Sequence, residues 1–235
     1  MSFTHSPKIP TDQLTLCLDA TNTKSHRTSA TVWTDLAQGL PFNVVGTATP
    51  KTTYGNAQGF TGNSSGYWEC STNTSTVDLG GNCTLIMWIY CVTPGNRRTI
   101  FEKAGTLYNS YEQEIACTWE LDNAISWYSR YNQYDYANTA AMVANRWNMV
   151  GIKMSTGKSI SSRTGFYSMD GGAWVSNYFS RTSTALVPAG NIRVMSGYAG
   201  TVDTGAIGMV MVYNKMLNNI EISQVFNATR SRFGV

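Results

Sequence analysis

Cys83-Thr84-Leu85-Ile86-Met87-Trp88-Ile89-Tyr90-Cys91 decides the fold class. Every position except Thr84 is apolar or aromatic, and the run is too short for a typical helix. Such a segment reads as a central β-strand covered on both faces. Side chains alternate along a strand, so Leu85, Met87 and Ile89 share one face and Ile86, Trp88 and Tyr90 the other. One set must face a core between two sheets. The other is expected beneath a loop or another subunit.

Outward from this run, strand signals recur along the chain. Towards the N-terminus they fall at residues 14–18, 42–45, 57–61 and 67–70. Towards the C-terminus they fall at 99–102, 114–120, 124–129, 147–154, 164–169, 174–178, 192–196 and 207–213. Turn residues separate them: Thr93-Pro94-Gly95-Asn96, Asp170-Gly171-Gly172 and Pro188-Ala189-Gly190-Asn191. Asp-Gly between strands is a hairpin signal. So many short strands joined by turns imply a sandwich or barrel. One helix is predicted. Asn218 is its N-cap, and Glu221, three residues on, completes a capping box. Ile222, Val225, Phe226 and Thr229 then follow at i, i+3, i+4 and i+7 and give it one apolar face.

Bulk composition agrees and narrows the function. A chain of 235 residues can build a core without disulfides or metals. Charged residues make up 13%, where about 25% is usual; Ser, Thr, Asn and Gly carry the polarity, as turns require. The net charge of +3 is scattered, and Arg97-Arg98 is the nearest thing to a basic cluster. Nucleic-acid binding needs a concentrated basic face and is not expected. The five cysteines, Cys17, Cys70, Cys83, Cys91 and Cys117, are odd in number and form no CxxC pair. They read as small buried side chains made in a reducing cytoplasm. No signal peptide is visible at the N-terminus. The apolar stretch at 85–92 is far below the roughly 20 residues of a membrane span, so no membrane insertion is expected.

Both ends of the chain resemble one family. The start reads Leu14-Thr-Leu-Cys-Leu-Asp19-Ala20-Thr-Asn22, then Ser25, then Trp33-Thr34-Asp35-Leu36. The end reads Gly205-Ala-Ile207-Gly208-Met-Val-Met-Val212-Tyr213-Asn214-Lys215-Met-Leu217, then Glu221-Ile222, Phe226-Asn227-Ala228-Thr229-Arg230 and Arg232-Phe233-Gly234. Together they resemble the laminin-G-like, concanavalin A-like sandwich domains of tailed-bacteriophage structural proteins. Phe60-Thr61-Gly62 and residues 84–89 fall where that family has middle strands. The resemblance implies a lectin-like jelly roll in a virion assembled in the host cytoplasm. Two loops depart from the family pattern: Ala37-Gln38-Gly39-Leu40-Pro41 replaces a Ser-Gly-Asn-Gly-Asn loop, and Thr61 replaces an Asp. Calcium needs hard oxygen donors, and these changes remove them. No metal and no cofactor is assigned.

Catalytic patterns are sparse. Glycosidases of this fold need two carboxylates flanking the sugar bond. Glu120 and Asp122 stand close in sequence, but no third acid follows, and Asp122-Asn123 has turn chemistry. The two histidines, His5 and His26, lie in the arm and in a polar loop, with no Gly-x-Ser-x-Gly elbow nearby. The most suggestive stretch is Trp127-Tyr128-Ser129-Arg130-Tyr131-Asn132-Gln133-Tyr134-Asp135-Tyr136, read as a loop. Rigid amphipathic rings interleaved with Arg, Asn and Asp suit a binding surface. The alternative is that these tyrosines only cap the sandwich edge.

The expectation is therefore an all-β, concanavalin A-like jelly-roll sandwich of two antiparallel sheets over residues 13–235. An extended arm at residues 1–12, able to reach a neighbouring subunit, precedes it, and one short helix closes it. No enzymatic activity is expected. Starting at Met1 with no fibre shaft, the chain suits a capsid decoration or minor tail protein, possessing other virion proteins as partners and room for self-association. A carbohydrate-binding adhesin for host-surface glycan is the alternative. Tyr128, Arg130, Tyr131, Asn132, Tyr134 and Tyr136 are the candidate binding residues for either role.

Overall fold

The computed structural model describes residues 8–26, 31–47, 52–61, 66–79, 81–92, 98–104, 113–130, 134–155, 164–178, 190–196 and 205–235. Its strands are β1 (Leu14–Asp19), β2 (Val32–Thr34), β3 (Pro41–Gly46), β4 (Thr52–Tyr54), β5 (Ala57–Gly59), β6 (Gly66–Cys70), β7 (Cys83–Cys91) and β8 (Arg98–Ala104). They continue with β9 (Gln113–Trp119), β10 (Ile125–Arg130), β11 (Tyr134–Asn138), β12 (Arg146–Ser155), β13 (Thr164–Met169), β14 (Val175–Tyr178), β15 (Asn191–Val194) and β16 (Gly205–Tyr213). The helix α1 (Asn219–Phe233) follows. Six strands form one antiparallel sheet in the order β1-β16-β7-β12-β13-β14, and eight form the other in the order β11-β10-β9-β8-β15-β6-β3-β2. β4 and β5 make a separate hairpin.

β7 lies in the middle of the six-stranded sheet, as its unbroken apolar run predicts. Register converts its alternation into two layers. Leu16, Val212, Leu85 and Ile152 form one cross-strand row, and Leu18, Val210, Met87 and Val150 the next. Both rows face the inter-sheet core, where they meet Trp33, Trp68, Phe101, Trp119 and Trp127. The opposite set, Ile86 and Trp88 with Met149, Met209 and Met211, forms a second cluster. Neither a loop nor another subunit covers Trp88 there. The cover is α1: Trp88 stacks on Phe233 at 4.4 Å between ring centroids, and its indole Nε1 donates to Thr229 Oγ1 at 2.9 Å.

The helix forms where its local signals place it. The Asn218 side chain accepts from the Ile220 and Glu221 amides, the Glu221 carboxylate accepts from the Asn218 amide, and Gly234 closes the C-terminus at φ 73°. Gly208 allows the close approach of helix to sheet, since a Cβ there would lie 2.5 Å from Phe233 and 2.9 Å from Trp147.

The described part of the predicted arm is docked on its own chain. Gln224 Nε2 donates to the Lys8 carbonyl, the Tyr213 hydroxyl to the Pro10 carbonyl, and Lys215 pairs with Asp12. Burial of Ile9 against the helix layer explains the docking; residues 1–7 lie outside the described residues. His26 also departs from expectation. It is buried rather than in an open polar loop, edge-on to Phe60 at 4.7 Å.

The acids of the opening motif serve the scaffold. Asp35 accepts from the Cys17, Ala37 and Gln38 amides, closing the free edge of β1. Asp19 accepts from the Thr21 amide and hydroxyl and pairs with Arg232. All five cysteines are buried.

Candidate functional site

Three of the four sheet faces are apolar. The two inner faces make the core, and α1 with β4–β5 covers the outer face of the six-stranded sheet. The outer face of the eight-stranded sheet differs. Its described residues include Asn43, Tyr67, Glu69, Arg193, Glu102, Ala116, Thr118 and Ser126, at positions alternating with core residues Trp68, Val194, Phe101, Cys117 and Trp127.

One cross-strand row organises this face. Asn43 stands opposite Glu69, Glu69 opposite Arg193, Arg193 opposite Glu102, and Glu102 opposite Ala116. The same row of Cα positions continues through Tyr128 to Tyr136. Arg193 bridges the two acids: Nε donates to Glu69 Oε2 at 2.6 Å, and Nη1 lies 3.4 Å from Glu102 Oε1. The Tyr67 hydroxyl is hydrogen-bonded to the same guanidinium. Exposure grades along the row. The Glu102 side chain is closed to solvent at 0%, Arg193 is at 4% and Glu69 opens to 19%, while Asn43 is exposed. Burial pushes the Glu102 carboxyl above the usual carboxylate range, with Arg193 opposing the shift. In the next row Ser126 Oγ donates to Asn138 Oδ1 at 2.6 Å.

Four of the six predicted binding residues lie on strands rather than in a loop. Tyr128 and Arg130 belong to β10, and Tyr134 and Tyr136 to β11. Register sets Tyr128 opposite Tyr136 and Arg130 opposite Tyr134. Tyrosine has high strand propensity, and pairing with β10 makes a strand of what polarity suggested was a loop. Tyr131 and Asn132 lie outside the described residues. The hairpin therefore gathers four of the six predicted positions at one edge of the polar face.

Sequence reading missed Glu69, Arg193 and Glu102. Glu69 and Arg193 are each a charge between apolar neighbours on a strand, which marks a position away from the core, while Glu102 stands next to Lys103. Their adjacency depends on the pairing of β6, β15 and β8, which no local signal records. Glu120, the acid singled out from sequence, lies in the β9–β10 connection, with its amide donating to the Ala124 carbonyl. Among the described residues, no three His, Cys, Asp or Glu side chains gather into a metal-binding group. No helix among them is long and apolar enough to cross a membrane.

No family model and no curated relative matches the chain. Solved structures do. Trypanosoma rangeli sialidase is 16% identical with a TM-score of 0.65, over 95% of this chain and 34% of that one. The binding domain of Botulinum neurotoxin DC, solved in complex with rat synaptotagmin II, is 14% identical with a TM-score of 0.67, over 93% of this chain and 52% of that one. The chain thus spans about a third to a half of the proteins it matches. At these identities the likeness shows a lectin-like β-sandwich fold and nothing finer.

Proposed function

We propose that this protein is a non-enzymatic glycan-binding domain, and that its binding surface is the outer face of the eight-stranded sheet, centred on the β10–β11 hairpin. One observation carries the reading: the described residues of this sheet face are mostly polar, unlike those of the other three, and its central row runs from Asn43 and Glu69 to Tyr128 and Tyr136. Carboxylate, amide and phenol groups beside aromatic rings suit hydroxylated ligands with apolar ring faces. Solved structures of similar fold include a sialidase in complex with sialic acid and a neurotoxin binding domain in complex with SialylT, which makes glycan a reasonable ligand class.

The arrangement of these acids supports binding over hydrolysis by a carboxylate pair. Glycoside hydrolysis needs two carboxyl groups facing the scissile bond with space between them. Here the Arg193 guanidinium occupies the space between Glu69 and Glu102.

The test is binding of the whole chain to a glycan panel, together with an assay for released sugar on every glycan bound. Binding without release is expected. Tyr128→Ala, Tyr134→Ala and Tyr136→Ala should each weaken binding about tenfold, the scale of one well-placed aromatic contact. Product release, or full binding by all three variants, would refute the reading.

The virion role rests on the terminal motifs. Their residues, among them Leu16, Leu18, Trp33, Asp35, Val212, Tyr213, Ile222 and Phe233, are buried framework. They therefore support the sandwich without selecting an assembly. Co-purification with phage particles at fixed stoichiometry, with no glycan preference, would favour the virion role over glycan binding.

A further inference from the structure

We propose that Asn43, Tyr67 and Glu69 form a subsite for neutral, hydroxyl-rich sugar residues and that Arg193, as a positioning residue, makes it discriminate against acidic sugars. The inference rests on the glycan-binding reading above and adds the ligand class. Three observations support it.

First, the three side chains lie where the row opens to solvent. Asn43 is exposed, and Tyr67 and Glu69 are half-buried. Asn43 stands directly opposite Glu69 across the β3–β6 pair.

Second, Arg193 is engaged by its neighbours and nearly sealed from solvent, which leaves it poorly placed to take a ligand carboxylate. Arginine reads carboxylates through paired N–H donors. Here Nε is held by Glu69, Nη1 faces Glu102, and Tyr67 takes a further hydrogen bond. The guanidinium is also almost closed to solvent, at 4%. Its function in this arrangement is to fix the Glu69 carboxylate.

Third, Glu69 commits only Oε2 to Arg193, and among the described residues no hydrogen bond reaches its other oxygen. That oxygen is a strong acceptor for a sugar hydroxyl. The Asn43 amide supplies a donor and an acceptor beside it, and the Tyr67 ring supplies an apolar surface for the C–H face of a pyranose. A ligand carboxylate placed there would meet a fixed like charge, which disfavours binding.

The experiment compares matched ligands on the full chain: neutral oligosaccharides, including lactose, against the same cores carrying sialic acid or a uronic acid. Neutral members should bind at least about tenfold more tightly than their acidic counterparts. Glu69→Gln and Asn43→Ala should each lower neutral-glycan affinity about tenfold, with an unchanged melting temperature confirming the fold. Glu69→Gln should also narrow the gap between neutral and acidic ligands, which a merely structural role would not do. Preference for the acidic ligands, or wild-type binding by both variants, overturns the inference and leaves the glycan-binding reading standing. No binding to any glycan overturns both.

Discussion

Single residues on the polar face carry opposed electrostatic demands. Glu102 is fully buried beside one shared guanidinium, and burial raises its pKa above the usual carboxylate value of 4.5. The folded protein therefore holds this proton to a higher pH than the unfolded chain does. Stability from Glu102 is fully present below the unfolded value and is lost as pH rises through the raised folded value. The slope for one proton is at most about 1.4 kcal/mol per pH unit. Glu102→Gln should remove this component, so the variant's urea midpoint should vary less than the wild type's between about pH 4.5 and neutrality. An unchanged pH dependence would assign the effect to another group. Single-residue chemistry was only partly legible in the sequence. The tyrosines at 128–136 stood out by density, whereas Glu69, Arg193 and Glu102 are charges in three separate strands, and nothing local links them.

Elements differ in how far they depend on partners. The helix α1 carries its own start and stop signals, Asn218, Glu221 and Gly234, and these act through hydrogen bonds within a few residues. Asn218→Ala should cost about 1 kcal/mol, read as a lower melting temperature. The inner side of the helix matters more. Phe233 fills the layer against Trp88 and Trp147, and Phe233→Ala should cost about 3–5 kcal/mol in a denaturant titration. A larger loss at Asn218 than at Phe233 would contradict this ranking. The same contrast explains which strands were legible. β7 and β16 are long apolar runs, so burial is written into them. β2 and β4 have only three residues each, and β11 reads Tyr-Asp-Tyr-Ala-Asn. Such segments become strands only because a neighbouring strand satisfies their backbone groups.

The whole molecule buries two stacked layers, an inter-sheet core and a helix-covered second cluster. Its cysteines report on that packing. All five are buried, and burial pushes the thiol of Cys17 up to about 12 and that of Cys91 to about 11, with Cys117 raised further. The thiolate is the reactive form. A thiol reagent at pH 8 should therefore leave the native protein unmodified over minutes and label all five cysteines in denaturant. Rapid labelling without denaturant would show that the layers open locally.

Apolar periodicity and capping chemistry, read along the chain alone, determined the sandwich class, the doubly covered β7 strand and the C-terminal helix. These features are encoded by residues close in sequence, where alternation and side-chain-to-backbone bonds act directly. Tertiary structure alone decided that α1 covers Trp88, that Tyr128, Tyr134 and Tyr136 lie on paired strands, and that Glu69, Arg193 and Glu102 share one row. Those outcomes depend on which strands become neighbours and in what register, and that choice is made by the summed burial of the whole core.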